Sequence, residues 1–329
     1  MITTIDLFAG AGLMTEGFRQ AGFRSIFAGE ADPRAVASFN RNIENVAQVW
    51  DVRKVKLSLC ADVIVAGPPC QGFSTLGKKD SNDERNKLSL TVLKWLKSAK
   101  PKVVVIENVP QFVDSKYWKS IQKGAHSEGY ESCHWILNSV DFGAPQKRIR
   151  VFCILSRIGI PQKPQATHKK PVTIADAFRG LSGKPDGKMQ HVAPTPTGVA
   201  LQRIQIIPKN GDKRDVMRRA PQLCPPSWAK MGAQAVDVWG RMRSDAPSNT
   251  LRCCFQNASK GRYLHPTENR VISLREGARL QGVPDAWIFE GDRSSIARQI
   301  GNGVPVPLAR AVAGAIQSLF VGFGSAVNS

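Results

Sequence analysis

The sequence predicts an α/β fold, a doubly wound sheet joined to a smaller irregular domain, and three observations predict it. Apolar runs alternate with amphipathic segments up to about Phe152, the pattern of a mainly parallel sheet covered by helices. Beyond Arg157 the texture changes to Pro, Lys and Gly without sustained periodicity, as in Pro161, Pro164, Pro171 and Pro185, which marks a separate domain. Regularity then returns near Val271. Residues 1–156 with 271–329 therefore read as one domain and 157–270 as the other.

In order, the strand Thr4–Phe8 leads to a helix over Thr15–Gln20, Ser25–Ala28 to a helix over Ala35–Asn42, and Val63–Val65 to one over Leu88–Lys97. Val103–Ile106 precedes a helix over Trp118–Glu128, and Ile149–Leu155 is the last strand of the region. Short Val- and Ile-rich runs of this kind suit buried strands. Near the C-terminus, Leu274–Leu280 reads as helical and Leu308–Leu319 as an apolar helix after Pro305 and Pro307.

The formal charge is +20 over 329 residues, a surplus that attracts polyanions through phosphate neutralisation and counterion release. Between Arg157 and Arg270 there are 20 Lys and Arg against 7 Asp and Glu, so the middle region carries the basic footprint. Nucleic acid is the first candidate partner. Seven cysteines without a C-x-x-C pair suit thiols in a reducing cytoplasm, and Met1-Ile2-Thr3-Thr4 lacks the basic region of a signal peptide. The stretch Ala311–Phe323 reads as too short to cross a bilayer, so no membrane contact is expected, and no metal site is read.

Four groups of residues carry chemistry. The first strand runs into Phe8-Ala9-Gly10-Ala11-Gly12 and then a helix, the arrangement of a nucleotide-type cofactor loop. Glu30 follows the second strand about twenty residues on, where an acid can accept from both ribose hydroxyls. Thr15 stands where a pyrophosphate fingerprint needs a third glycine, so a mononucleoside such as S-adenosylmethionine fits better than a dinucleotide. In Gly67-Pro68-Pro69-Cys70-Gln71-Gly72, two prolines fix two φ angles and remove two donors after a buried strand, so Cys70 reads as a preorganised nucleophile. Glu107 and Asn108 end the strand Val103–Ile106, and Arg148 and Arg150 alternate across a strand start, projecting to one face. Singly, each group has a structural alternative: a buried thiol, a tight turn, an ion-paired carboxylate, a salt-bridging arginine.

Taken together, Phe8-Ala9-Gly10-Ala11-Gly12, Pro68-Pro69-Cys70-Gln71, Glu107-Asn108-Val109, Gln146-Lys147-Arg148-Ile149-Arg150, Arg275–Asp285 and Gln299–Pro305 resemble, in order and nearly end to end, the DNA (cytosine-5-)-methyltransferases of bacterial restriction-modification type. The resemblance implies a Rossmann-like mixed sheet of the S-adenosylmethionine-dependent methyltransferase fold with a target-recognition domain at 157–270. It implies that the Cys70 thiolate adds to cytosine carbon 6, that Glu107 bonds ring nitrogen 3 and the exocyclic amine, and that Arg150 holds the 2-oxo group with support from Arg148. The base must first be flipped out of the duplex. The implied cofactor contacts are Phe8, Ala9, Gly10, Ala11, Gly12, Glu30, Ala31, Asp51, Val52, Pro69, Leu88, Asn302 and Gly303. Gln71, Ser74, Thr250 and Leu251 are implied at the DNA, while Arg241, Arg243, Arg252 and Gln256 are candidates for reading its sequence.

The implied substrate is double-stranded DNA, the expected state a cytoplasmic monomer without a stable protein partner, and a cognate restriction endonuclease a functional companion. Leu13 replaces a frequent glycine, Ala31 a bulky residue that stacks on adenine, and Gly277 a small or thiol residue, at a helix-propensity cost of roughly 1 kcal/mol. A transfer-RNA cytosine-5 methyltransferase and a catalytically inactive nucleic-acid-binding relative are the alternatives. Asn108-Val109 and Phe73-Ser74 favour DNA, and the retained thiol and cofactor loop favour activity.

Overall fold

A computed structural model describes the chain except residues 57–58, 70–83, 182, 231–236 and 328–329. Its contacts divide it into two compact units: residues 1–142, 149–167 and 304–329 in the first, 143–148 and 168–303 in the second. The division departs from the predicted boundaries, because 271–303 joins the second unit through bonds such as Ile272 N–H to the Tyr263 carbonyl and Leu274 N–H to that of Val192.

The first unit is built on a seven-stranded mixed sheet of order β3-β2-β1-β4-β5-β7-β6. Its strands are β1 Ile2–Leu7, β2 Phe23–Glu30, β3 Ala47–Val49, β4 Val63–Ala66, β5 Val103–Asn108, β6 Glu131–Asn138 and β7 Ile149–Ser156. The first five pair in parallel, while β7 runs antiparallel to both β5 and β6. Helices α1 Leu13–Gln20, α2 Pro33–Asn42, α3 Thr91–Ala99 and α4 Lys116–His126 follow their strands. Alternate residues of β4 and β5 point to opposite faces: Ile64, Val104 and Ile106 meet Trp95, Phe112 and Trp118, while Val63, Val65, Val103 and Val105 meet Phe18, Leu308 and Val312. Both faces are dry, which is why these strands read as continuous apolar runs.

The C-terminal helix, Val306–Val327, packs on α1 so closely that a Cβ on Gly17 would lie 2.4 Å from that of Ala309. The window Arg293–Val321, which takes in most of this helix, is long and apolar enough to cross a bilayer by length and composition, a longer span than the stretch Ala311–Phe323; Leu308, Ala309, Val312, Ala313 and Ile316 use their apolarity to cover the sheet.

The second unit contains α5 Ile174–Phe178, α6 Gly198–Ile206, α7 Lys213–Arg219, α8 Pro226–Lys230, α9 Leu274–Leu280 and α10 Arg293–Asn302. Among its described residues the β-structure is limited to isolated bridges such as Gln146 with Ser248 and Leu264 with Val271. Ser273 caps α9 in a capping box with Glu276. Gly277 has a packing reason in this helix, since a Cβ there would lie 2.6 Å from the Phe255 ring.

Candidate active site

Beyond Leu7 the chain turns through left-handed φ angles at Phe8 (57°), Gly10 (55°) and Gly12 (88°). That conformation costs a non-glycine residue about 1–2 kcal/mol, and such strain at Phe8 is characteristic of ligand-holding turns. Gly12 has a second constraint: a Cβ would meet the Phe39 ring at 2.9 Å, whereas Gly10 faces open space. The Gly10 N–H donates to Glu30 Oε2 at 2.9 Å, while those of Ala31 and Asp32 donate to Oε1 at 2.8 and 2.9 Å. Three main-chain donors thus fix the carboxylate and leave about one of its roughly four acceptor sites for a further donor. An open glycine turn beside an oriented acid suits a nucleoside with ribose hydroxyls, so these residues fit the adenosyl group of the implied cofactor.

Asp6 beneath the loop received no role from the sequence. Its Oδ1 accepts from Thr15, and its Oδ2 from Thr4 and Ser25, at 2.6–2.8 Å. Burial pushes its carboxyl pKa up against the pull of these hydroxyls. The available signal was an acid inside an apolar strand followed by Thr15 in the first turn of α1. Trp50 N–H donates to the Glu30 carbonyl at 2.8 Å, which sets Asp51 and Val52 beside β2. Val52 is buried, and its Cγ1 lies 3.2 Å from the position of a Cβ on Gly29. The Asp51 carboxylate is engaged by the Arg53 guanidinium, which holds it below the usual carboxylate range. Ala11 is buried; Ala9, Pro69 and Leu88 are half-buried, and Ala31 is exposed.

The ends of β1, β4 and β5 converge. Gly67 N–H donates to the Leu7 carbonyl at 3.2 Å, and Asn108 Nδ2 donates to the Pro68 carbonyl at 3.3 Å. A Cβ on Gly67 would lie 3.8 Å from Glu107 Oε2 and 3.9 Å from the Phe8 carbonyl. Glu107 Oε1 pairs with Arg150 Nε at 2.9 Å, and with side-chain exposures of 12% and 15% this is not a screened surface pair. Arg150 Nη1 also donates to the Ile149 carbonyl. Glu107 and Arg150 are thus ion-paired with each other at the end of β5. Cys70, Gln71 and Ser74 lie outside the described residues.

Arg148 departs from the expectation. It belongs to the second unit, ahead of β7, and donates through Nη1 to the Leu251 carbonyl at 3.0 Å and through Nη2 to that of Asn302 at 3.4 Å. The alternation argument fails because residues 145–147 pair with Ser248 instead of extending β7. Arg241 also departs: it is buried, with its guanidinium on the carbonyls of Ile204, Ile207, His265 and Glu268, and desolvation lowers its pKa. Its guanidinium is turned to the interior of the second unit. Leu251 is fully buried, Thr250 donates to the Lys147 carbonyl, and Gln256 donates to that of Ile272. Arg243 and Arg252 are exposed, Arg243 beside Asp245. Gln281 Nε2 donates to the carbonyls of Ile300 and Gly303, which sets Asn302 and Gly303 within the second unit.

Residues 2–318 match the family model for C-5 cytosine-specific DNA methylases. The chain is 31% identical to the type II methyltransferase M.DdeI of Desulfomicrobium norvegicum, over 96% of this chain and 88% of that one. It is 30% identical to the type II methyltransferase M1.HphI of Haemophilus parahaemolyticus, over 96% and 86%. Among solved structures, S. pombe Dnmt2 methyltransferase superposes with a TM-score of 0.65 at 18% identity, over 98% of each chain, a likeness of fold. The seven-stranded mixed sheet and the match over residues 2–318 agree: the chain belongs to the C-5 cytosine-specific DNA methylase family and is a DNA cytosine-5 methyltransferase of the restriction-modification type.

Proposed function

We propose that the protein methylates carbon 5 of a cytosine flipped out of a specific duplex sequence, through a transient bond between Cys70 and carbon 6. The observation that carries this reading is the Glu107–Arg150 pair at the end of β5, beside the strand end that leads into Pro68-Pro69-Cys70. Carbon 5 of cytosine is a poor nucleophile. Addition of the Cys70 thiolate to carbon 6 turns the ring into an enamine nucleophilic at carbon 5, and this divides the difficulty. With the base in place, Arg150 holds the 2-oxo group. Glu107, carrying a proton, donates it to ring nitrogen 3 as the thiolate adds and accepts from the exocyclic amine, so the negative charge of addition is neutralised. That proton returns to Glu107 when the thiolate leaves. Gly10 and Glu30 would hold S-adenosylmethionine, which would supply an electrophilic methyl group to carbon 5 and leave as the neutral thioether. Water then takes the carbon-5 proton, and the thiolate leaves carbon 6 as the double bond re-forms.

The pairing of Glu107 with Arg150 keeps both side chains aligned before the base arrives and balances their charges within a partly dry site. Phe8, Ala9, Ala11, Gly12, Ala31, Asp51, Val52, Pro69 and Leu88 are further proposed cofactor contacts, and the resemblance adds Asn302 and Gly303. Gln71, Ser74 and Thr250 are proposed to meet the DNA, and Arg243 and Arg252 are the exposed candidates for reading it. The enzyme is read as a cytoplasmic monomer. Trapping tests the mechanism, with duplex DNA replicated with 5-fluorodeoxycytidine so that every cytosine context is present. Because fluorine cannot leave as a cation, the wild type forms a covalent adduct in the presence of S-adenosylmethionine and Cys70→Ala forms none. An equal adduct yield from both proteins would remove Cys70 from the mechanism.

A further inference from the structure

Within the second unit, the segment Thr250–Cys253 and the turn Ile300–Gly303 are joined by two routes. Arg148 forms the first, donating to the carbonyls of Leu251 and Asn302 at 3.0 and 3.4 Å. The second is a relay of two buried amides. Gln146 Oε1 accepts from Leu251 N–H at 2.7 Å, Gln146 Nε2 donates to Gln281 Oε1 at 3.0 Å, and Gln281 Nε2 donates to the carbonyls of Ile300 at 2.6 Å and Gly303 at 3.2 Å. Gln146 and Gln281 are fully buried and Arg148 nearly so. Direct packing reinforces both routes, since a Cβ on Gly301 would lie 2.4–2.5 Å from the backbone of Arg252 and Cys253. The Leu251 main chain is therefore held at its N–H by one route and at its carbonyl by the other.

We propose that Gln146, Arg148 and Gln281 are positioning residues that make the nucleotide-facing segment 250–253 and the cofactor-facing turn 300–303 one mechanical element, so that occupancy of either end orders the other. This rests on the functional reading above, in which Thr250 meets the extruded nucleotide and Asn302 and Gly303 meet the adenosyl cofactor. The physical basis is that a buried hydrogen-bond network leaves few independent motions to its members. A ligand that orders one end then removes part of the ordering cost at the other, and the coupling is reciprocal.

Hydrogen exchange of the full-length protein, with and without S-adenosylhomocysteine, tests this without the target sequence. In the wild type, S-adenosylhomocysteine should slow exchange in peptides covering 299–304 and also in those covering 249–254, by about fivefold or more, the lower end of common couplings. In Arg148→Met and separately in Gln146→Met, protection at 299–304 should persist while that at 249–254 drops measurably, and in the double variant it should fall to within about twofold of the unliganded protein. Using one variant from each route keeps the test sharp if either fails to fold. Wild-type protection confined to 299–304, or protection of 249–254 unchanged in a folded variant, overturns the proposal. Calorimetry of S-adenosylhomocysteine and methyl transfer to DNA by the wild type report on the functional reading separately: if both are positive while coupling is missing, only the present inference fails, and absence of cofactor binding removes both.

Discussion

Strand ladders hold the first unit together, whereas arginines donating to main-chain carbonyls do much of that work in the second. In the inner strands of the sheet the backbone donors find ladder partners and the side chains are free to be apolar. The second unit has only isolated bridges among its described residues, and buried carbonyls there still need donors. Arg241 serves Ile204, Ile207, His265 and Glu268; Arg275 serves Met189, Pro284 and Trp287; Arg279 serves Ala177 and Arg179. A guanidinium suits this role because five fixed donors reach several segments at once. Part of the basic surplus that points to DNA is therefore interior scaffolding. Six of the seven acids between Arg157 and Arg270, namely Asp176, Asp212, Asp215, Asp237, Asp245 and Glu268, pair with arginines of the same stretch.

The largest effect expected from this contrast is that of Arg241→Met. Each buried carbonyl left without a donor costs about 1–3 kcal/mol, so losing the Arg241 contacts should destabilise the second unit by about 3 kcal/mol or more. Hydrogen exchange resolved by unit should show this loss while the sheet retains its protection. Arg243→Met, at an exposed arginine that faces Asp245, should leave both units unchanged. Equal loss from the two substitutions would break the contrast between interior and surface arginines.

Gly17→Ala strikes the other region. The added Cβ would lie 2.4 Å from Ala309 Cβ and 2.6 Å from Arg310 N, and backbone cannot turn aside as a flexible side chain can. Forcing a methyl group into such a contact costs about 1–3 kcal/mol. The expected result is a lower denaturant midpoint for the sheet unit, with exchange in 168–303 unaffected. A variant as stable as the wild type would mean that the C-terminal helix is not a fixed part of that core.

The same contrast explains what the sequence disclosed. β1, β4, β5 and β7 are legible because burial on both faces, or close to it, demands apolar runs. β6 is not, since an edge strand reading Glu131-Ser132-Cys133-His134 exposes several positions and lacks such a run. β3, with three residues, is shorter than any reliable period. In the site, the Gly10–Glu30 contact follows from a turn and a spacing that recur wherever a backbone loop cradles a nucleoside. The fate of Arg148 and Arg241 did not follow, because without a period nothing in a sequence distinguishes an arginine aimed at carbonyls from one aimed at solvent.

Acid should separate the units with a smaller effect. The His265 ring stacks on Phe178 at 5.7 Å, and its Nε2 lies 3.5 Å from Glu276 and 3.8 Å from Glu268, with Arg270 and Arg241 also facing it. Burial is the chief cause that holds its pKa below 6.5; the two arginines act in the same direction and the two glutamates oppose them. A folded-state value below the unfolded one means that the unfolded chain binds more protons as pH falls from 6.5 through the folded pKa, so stability of the second unit is lost in that window. Glu276, buried yet held below its usual 4.5 by Arg270 and the Ser273 N–H, adds a second loss below that pH. In the sheet unit Asp6 acts oppositely: its raised pKa gives stability that is full below 3.8 and falls as pH rises through the folded value. Exchange measured from pH 7 to 4 should therefore show 168–303 opening before the sheet. His265→Gln should remove the loss that begins near pH 6.5 while leaving the one below 4.5. If the two units open together at every pH, their different means of cohesion do not make them independent.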